Sequence, residues 1–415
     1  MSALWLIVRK SLRQHALSTA VTVASLALAC GLVTAIFSIE RQARGAFGGG
    51  SGAFDAVLGA RGSQLQLVLN AVFHLETSPG NVSWSLYERI AADPRVAAAV
   101  PYAVGDSYRG HRIVGTAPEA FALSHGGAAR FSGQGRLFDA GRREAVIGSA
   151  VARRAGLAYG SHFQPAHGVI EAGAHDHEED FVVVGVLEPT NTPADRVIWI
   201  PIEAVFRMGG HVLRGGGEDY HADPSQPIPD EHKEVSAVLL RLKGGMMGAS
   251  LFREINYQQQ EATLAWPVAR VMAELFDKLG WMHRVLTLVA YLVVVVATGS
   301  VTASLYNTMN ERRREFAILR SLGARRGTVF AAIVCESSAI ALAGGVAGLA
   351  VHGAILGAAS AAVRERTGIA LEVFAPHPVL FLAPAGLVAL GALAGVVPAL
   401  KAYRTDVATH LAPTS

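Results

Sequence analysis

The chain has 415 residues, of which 51% are hydrophobic and 17% charged, and its mean hydropathy is +0.33. Soluble domains average about 25% charged residues, so an ordinary water-soluble globule is excluded; disorder is excluded too, because disordered chains are poor in apolar residues. A net charge of +3 gives no footing for nucleic-acid binding, and two cysteines, Cys30 and Cys335, make neither a disulfide framework nor a cysteine zinc site.

A short basic segment, 1–15, carries Arg9, Lys10 and Arg13. The first apolar run follows, Ala16–Ile39, uncharged throughout and about 36 Å long as a helix, enough to span a bilayer. Cys30 sits in LALACG, which imitates a lipoprotein cleavage site, but Ala27 and Leu28 fit that site poorly. The run also continues well past Cys30, beyond the 7–15 apolar residues of a signal peptide. It reads as an anchor.

Residues 40–284 have globular composition, and the stretch Arg41–Met282 holds ten of the fifteen histidines. Strand-like runs recur at Glu144–Gly148, Phe181–Leu187, Arg196–Ile202 and Ser236–Leu242, rich in β-branched residues and bounded by Gly, Pro and Asp. Helical stretches lie between them. Asn81 or Ser83 could cap WSLYERIAA. A longer helical pattern, Leu251–Leu279, leads toward the second apolar run, with a kink or break expected at Pro267. The block reads as an α+β domain inserted between spanning helices.

Three further spans follow: 285–309; 328–363, whose apolar part is Ser337–Val363 and rich in Gly and Ala; and 379–400. They are separated by a basic segment, 310–327, and a short loop, 364–378; a tail, 401–415, ends the chain. The arginines and lysines near span ends crowd into 1–15, 310–327 and 401–415. The positive-inside rule puts these three on the cytoplasmic side, and with them both termini, leaving the large domain outside. Glu336, at the start of the third span, reads as an interfacial acid pairing with nearby arginines rather than a proton relay.

Two loops combine imidazoles with acids: His175 and His177 lie beside Glu178, Glu179 and Asp180, while His221 and His232 flank Asp223, Asp230 and Glu231. Those groups could hold a zinc-like ion, although a solvated polar loop is the commoner outcome of a charge run. No phosphate-binding GxxxxGK[ST] loop, HExxH or GxSxG occurs, so neither ATP hydrolysis nor another catalytic activity is expected of this chain itself.

The segment ERRREFAILRSLGARRGTVFAAIVCES, Glu311–Ser337, resembles the signature between the second and third spans of MacB/FtsX-type ABC transporter permeases. REAVIGSAVARRAGLAYG and FVVVGVLEPTNTPADRVIWIPIEAVF resemble stretches of that family's external domain. The ending VVPALKAYRTDVATHL resembles the family's C-terminus, with Val407 where Pro is common. The resemblance covers the whole chain in order: one span, external domain, three spans.

It implies a mechanotransmission permease without a fused ATPase, in a bacterial inner membrane. The external insertion would comprise a mixed α/β portion and a smaller inserted portion. The expected partners are two copies of a separate cytoplasmic ABC ATPase, which would bind ATP and Mg²⁺; a second copy of this chain or a related permease; membrane lipid; and a periplasmic adaptor or effector. The expected role is export or lipid/lipoprotein release. The alternatives are FtsX-like regulation of an external hydrolase or membership of a metal-handling complex. In the basic segment, Phe316, Leu319 and Leu322 recur at i, i+3 and i+6 as an apolar stripe, and Gly323 can end the short helix. By physics alone this helix could rest on lipid or fill a partner's groove. The resemblance favours the groove, with Arg312, Arg313 and Arg320 at its acidic rim.

Overall fold

The computed structural model describes residues 3–49, 54–124, 129–168, 179–208, 226–311, 315, 318, 320–321 and 323–404. The chain divides into a membrane unit (1–42, 279–361 and 371–415) and an external unit (43–278 and 362–370). The first helices are α1 (Ala3–Gln14) and α2 (Ala16–Gly49). The external unit then runs β1 (Ala56–Gly59), α3 (Gln64–Ala71), β2 (Val82–Ser83), α4 (Trp84–Ala91), β3 (Val96–Tyr108), β4 (His111–Thr116) and α5 (Glu119–Ser124). It continues with β5 (Glu144–Ile147), α6 (Ser149–Ala155), β6 (His162–Phe163), β7 (Ala166–His167), β8 (Phe181–Val186), β9 (Ile198–Pro201) and α7 (Ile202–Phe206). Last come β10 (Glu234–Val235), β11 (Ala237–Leu242), α8 (Gly245–Arg253) and β12 (Thr263–Ala265). Three long helices complete the chain: α9 (Val268–Glu311), α10 (Arg326–Thr367) and α11 (Val379–Arg404).

Among the described residues ten strands form one mixed sheet, ordered β12–β1–β11–β3–β4–β9–β5–β8–β6 with β7 paired to β3 outside that path. The pairs β4–β9 and β5–β8 are parallel, and the other pairs of this sheet are antiparallel. Both faces are covered, and the strands alternate between two apolar cores. Val238, Leu240, Ile198 and Ile200 belong to one core, while Leu239, Val197 and Trp199 belong to the other. This double burial explains why β8 and β9 read as unbroken apolar runs. Gly148, between β5 and α6, is required by close approach, since a β-carbon there would lie 2.4 Å from the Asp195 backbone.

Ser83 rather than Asn81 caps α4, its hydroxyl accepting the Leu86 N–H at 3.4 Å. The helix expected over Leu251–Leu279 does not form as such. After α8 the chain widens into a π-helical turn, 254–259, and then extends as β12, paired antiparallel with β1. Pro267 therefore marks a complete interruption, and α9 begins only at Val268. The Asn256 amide brackets Leu264, accepting its N–H at 3.1 Å and donating to its carbonyl at 3.0 Å, which satisfies the open side of this edge strand.

In the membrane unit, four helices are long and apolar enough to cross a bilayer: 16–46, 268–309, 326–367 and 379–401. Small residues bring them together. A β-carbon on Gly344 or Gly348 would lie 2.5 Å from Leu26 Cβ or 2.7 Å from Cys30 Cβ. On Gly391 or Gly395 it would lie 2.4 Å from Ala341 or 2.2 Å from Ser337. Each glycine pair is spaced i, i+4, the arrangement that lets helix backbones approach in lipid. Glu336 is buried, 7% exposed, and accepts a hydrogen bond from the Ser11 hydroxyl at 2.5 Å.

Candidate functional site

Among the described residues of the membrane unit, polar contacts gather around the two ends of its long helices. At one end, α9 stops at Glu311 and α10 starts at Arg326. Of the residues singled out between them, Arg312, Arg313, Phe316, Leu319 and Leu322 lie outside the described residues; Arg320 and Gly323 lie within them. Gly323 has a φ of 96°, and its N–H donates to the Arg320 carbonyl at 3.1 Å, closing a turn. The helix ends around this segment are joined by polar contacts. Arg326 lies 5.8 Å over the Tyr403 ring, and Lys401 lies 4.0 Å over the Tyr306 ring and bonds its hydroxyl. His15 Nδ1 stands 3.8 Å from Glu311 Oε2.

At the other end, the chain leaving α10 is held by side chains acting as substitute strands. In the membrane unit, the Ser360 hydroxyl donates to the Leu371 carbonyl at 2.9 Å and accepts its N–H at 2.8 Å. The Gln42 amide accepts the Glu372 N–H at 2.7 Å and donates to its carbonyl at 2.9 Å. His352 is fully buried, with Nε2 2.8 Å from the Val373 carbonyl, so geometry assigns the proton to Nε2. These contacts satisfy peptide groups that would otherwise have no partner.

In the external unit, Asn191 treats Ala370 the same way, accepting its N–H at 2.5 Å and donating to its carbonyl at 3.1 Å. Asn191 sits at a φ of 55°, a left-handed conformation that Asn tolerates better than most residues. The buried Asp195 carboxylate holds that turn, accepting from the Thr190 N–H at 2.9 Å, the Thr190 hydroxyl at 2.8 Å and the Asn191 N–H at 3.0 Å. Gly368, at a φ of 80°, lets the α10 end turn closely past Thr192; a β-carbon there would lie 3.0 Å from the Thr192 carbonyl oxygen. Arg154 donates to the Glu365 carbonyl at 3.0 Å, placing a cation at the negative end of the helix dipole.

None of Gln42, Asn191, His352 and Ser360 was singled out from sequence. Asn191 lies in the turn-rich run EPTNTPADR, which marks a loop but not what the loop grips. Of the histidines considered as metal ligands, His175, His177 and His221 lie outside the described residues. His232 Nε2 stands 3.8 Å from Glu231 Oε1. Among the described residues no group of three or more His, Cys, Asp or Glu is placed to hold a metal.

A family model described as MacB-like periplasmic core domain matches residues 19–246, and one described as FtsX-like permease C-terminal matches 287–407. The chain resembles the solved extracellular domain of the noncanonic ABC-type transporter YknZ from Gram-positive bacteria, at 12% identity and a TM-score of 0.29, covering 50% of this chain and 97% of that one. It also resembles the periplasmic region of MacB from Actinobacillus actinomycetemcomitans, at 10% identity and a TM-score of 0.33, covering 54% of this chain and 94% of that one. No curated protein matches.

Proposed function

Because this chain belongs to the MacB/FtsX-type ABC transporter permeases, a family of multi-pass membrane proteins, we propose that it carries ATP-driven movement from a separate cytoplasmic ATPase to its external domain, for export or lipid/lipoprotein release. Both termini and the 310–327 segment face the cytoplasm of a bacterial inner membrane. The ATPase receives the stripe Phe316, Leu319 and Leu322 in a groove, with Arg312, Arg313 and Arg320 at the rim. A second permease copy, identical or related, completes the assembly.

The observation that supports this reading is helix continuity. Each of α2, α9 and α10 is one uninterrupted helix with residues in both units. A helix transmits displacement along its axis because every peptide group is hydrogen-bonded to the next turn. The test uses a dimer with the ATPase in nanodiscs, Cys335→Ser, and spin labels at Met246→Cys, a residue that is 87% exposed. The label-to-label distance should differ between the nucleotide-free and ATP-bound states. A distribution indifferent to nucleotide would sink the proposal.

A further inference from the structure

A groove of about 650 Å³ opens in the external unit where α8, the start of α3 and the first turns of α9 meet, within the span of small-molecule sites, roughly 300–1,000 Å³. Phe252, Tyr257 and Trp266 supply rings to its wall. The Phe252 ring centroid lies 6.0 Å from that of Tyr257 and 6.2 Å from that of Trp266. This cluster depends on the π-helical turn. In a regular α-helix, residues five apart point about 140° away from each other; the wider turn over 254–259 brings Phe252 and Tyr257 together. Such turns are rare and frequent at functional sites. Gly248 lets α8 lie close against the Trp266 indole, where a β-carbon would come within 2.3 Å of the ring.

Folding leaves polar groups of this groove unused. Arg253 and Lys278, both lining it, are exposed and have no ion-pair or hydrogen-bond partner among the described residues. The neighbouring acids are engaged elsewhere: Glu274 pairs with Arg270 at 3.2 Å, and Glu254 with Arg95 at 2.8 Å. Nor do the Gln64 amide and the Tyr257 hydroxyl have a hydrogen-bond partner among the described residues, and Tyr257 is 67% exposed. A ligand for this surface must carry anionic groups for two cations, an apolar face for the rings, and groups that both donate and accept for the amide. A sugar ring bearing a carboxylate has all three, because one of its faces is a set of C–H bonds that packs on the negative face of an aromatic ring. An acidic peptide matches the charges but has no rigid apolar face, and ordering its side chains costs more.

We propose that this groove binds an acidic oligosaccharide, with a sugar face on Tyr257 and Trp266, hydroxyls at Gln64 and carboxylates at Arg253 and Lys278.

The experiment titrates trigalacturonate into the full chain in nanodiscs at physiological ionic strength, corrected for empty discs, and follows the heat. Neither nucleotide nor ATPase is present, so the outcome is separate from that of the coupling proposal. Saturable binding is expected. The fully methyl-esterified trimer, which keeps the sugars and loses the charges, should bind about tenfold less tightly or worse. A glutamate tripeptide, which keeps the charges and lacks the sugars, should be weaker by a similar factor. Arg253→Glu and Lys278→Glu, both surface changes, should each weaken trigalacturonate binding about tenfold or more. Tyr257→Ser should weaken trigalacturonate while leaving the residual binding of the tripeptide unchanged, a split that a general loss of structure or charge would not produce. Heats no greater than those of empty discs overturn the proposal. So does a tripeptide that binds as tightly as the sugar, or unchanged affinity in Arg253→Glu.

Discussion

Asn191 holds both backbone groups of Ala370, its Oδ1 accepting the N–H at 2.5 Å and its Nδ2 donating to the carbonyl at 3.1 Å. Both residues belong to the external unit, and the next residue, Leu371, belongs to the membrane unit. A single side-chain amide thus grips the chain one residue before it changes unit.

Asn191→Ala removes both bonds and puts an ordinary residue at a left-handed φ. Together these should cost about 1–3 kcal/mol of local stability. Hydrogen exchange at the Ala370 amide should accelerate about tenfold or more, while the ATPase still co-purifies. Asn191→Asp keeps the acceptor but loses the donor, and should fall between the two. Unchanged protection in the alanine variant would mean that the amide is not what holds this segment.

The pH dependence of the external domain should show a buried imidazole. Burial, with Arg112 adding to it, pushes His74 down to about 3 from its ordinary 6.5. Between those values the unfolded chain binds a proton that the folded chain refuses. This contribution is therefore fully present above about pH 6.5 and is lost as the pH falls toward 3. Burial pushes His111 down in the same direction. His74→Asn keeps a residue that tolerates the φ of 53° and removes the titration. Thermal unfolding followed by tryptophan emission should lose less midpoint between pH 6.5 and 5 in this variant than in the parent, and an identical slope refutes the assignment.

A carboxylate acts in the lower window. Glu144 is 4% exposed and takes two bonds from Arg136, each 2.6 Å. The Arg136 hydrogen bonds hold its carboxyl below the ordinary 4.5. Its stabilisation is present above about 4.5 and is lost as the pH falls through its depressed folded value. Glu144→Gln should destabilise the domain at pH 7 by about 1–3 kcal/mol and reduce the loss of stability below pH 4.5. If urea midpoints at pH 7 coincide, the pair contributes nothing.

Apolar anchors carry most of an interface's energy, and rim charges tune approach. Leu319→Ala or Leu322→Asp should weaken ATPase association by about 2 kcal/mol or more, with Arg313→Ala mild by comparison. Gly323→Pro requires a φ near −65° where 96° is observed, and it deletes the N–H that donates to Arg320. It should uncouple hydrolysis from external movement even where the complex survives. Stoichiometric co-purification and parental ATPase activity with Leu322→Asp would assign the stripe to lipid instead.

Orientation is tested by impermeant thiol labelling of intact cells in a Cys335→Ser background. Arg142→Cys in the external domain should react, and Ser321→Cys in the basic segment should not. Equal labelling of the two would end the argument from arginine asymmetry.

Composition and order along the chain were enough to find four apolar helices, the inserted α+β domain and the permease resemblance, because hydropathy, charge asymmetry and motif spacing are local quantities. The runs EAVI, FVVVGV and AVLLRL are strands for the same reason: apart from Glu144 and Arg241 they carry no charge, and most of their residues are buried. Leu251–Leu279 looked helical because its residues favour helix locally. Only pairing with β1, some two hundred residues earlier, turns Thr263–Ala265 into a strand. The grip on 370–372 was equally invisible. It joins Gln42, Asn191 and Ser360, polar residues that no periodicity distinguishes from solvated ones. What selects them is a set of unpaired peptide groups that exists only once tertiary structure has brought distant segments together.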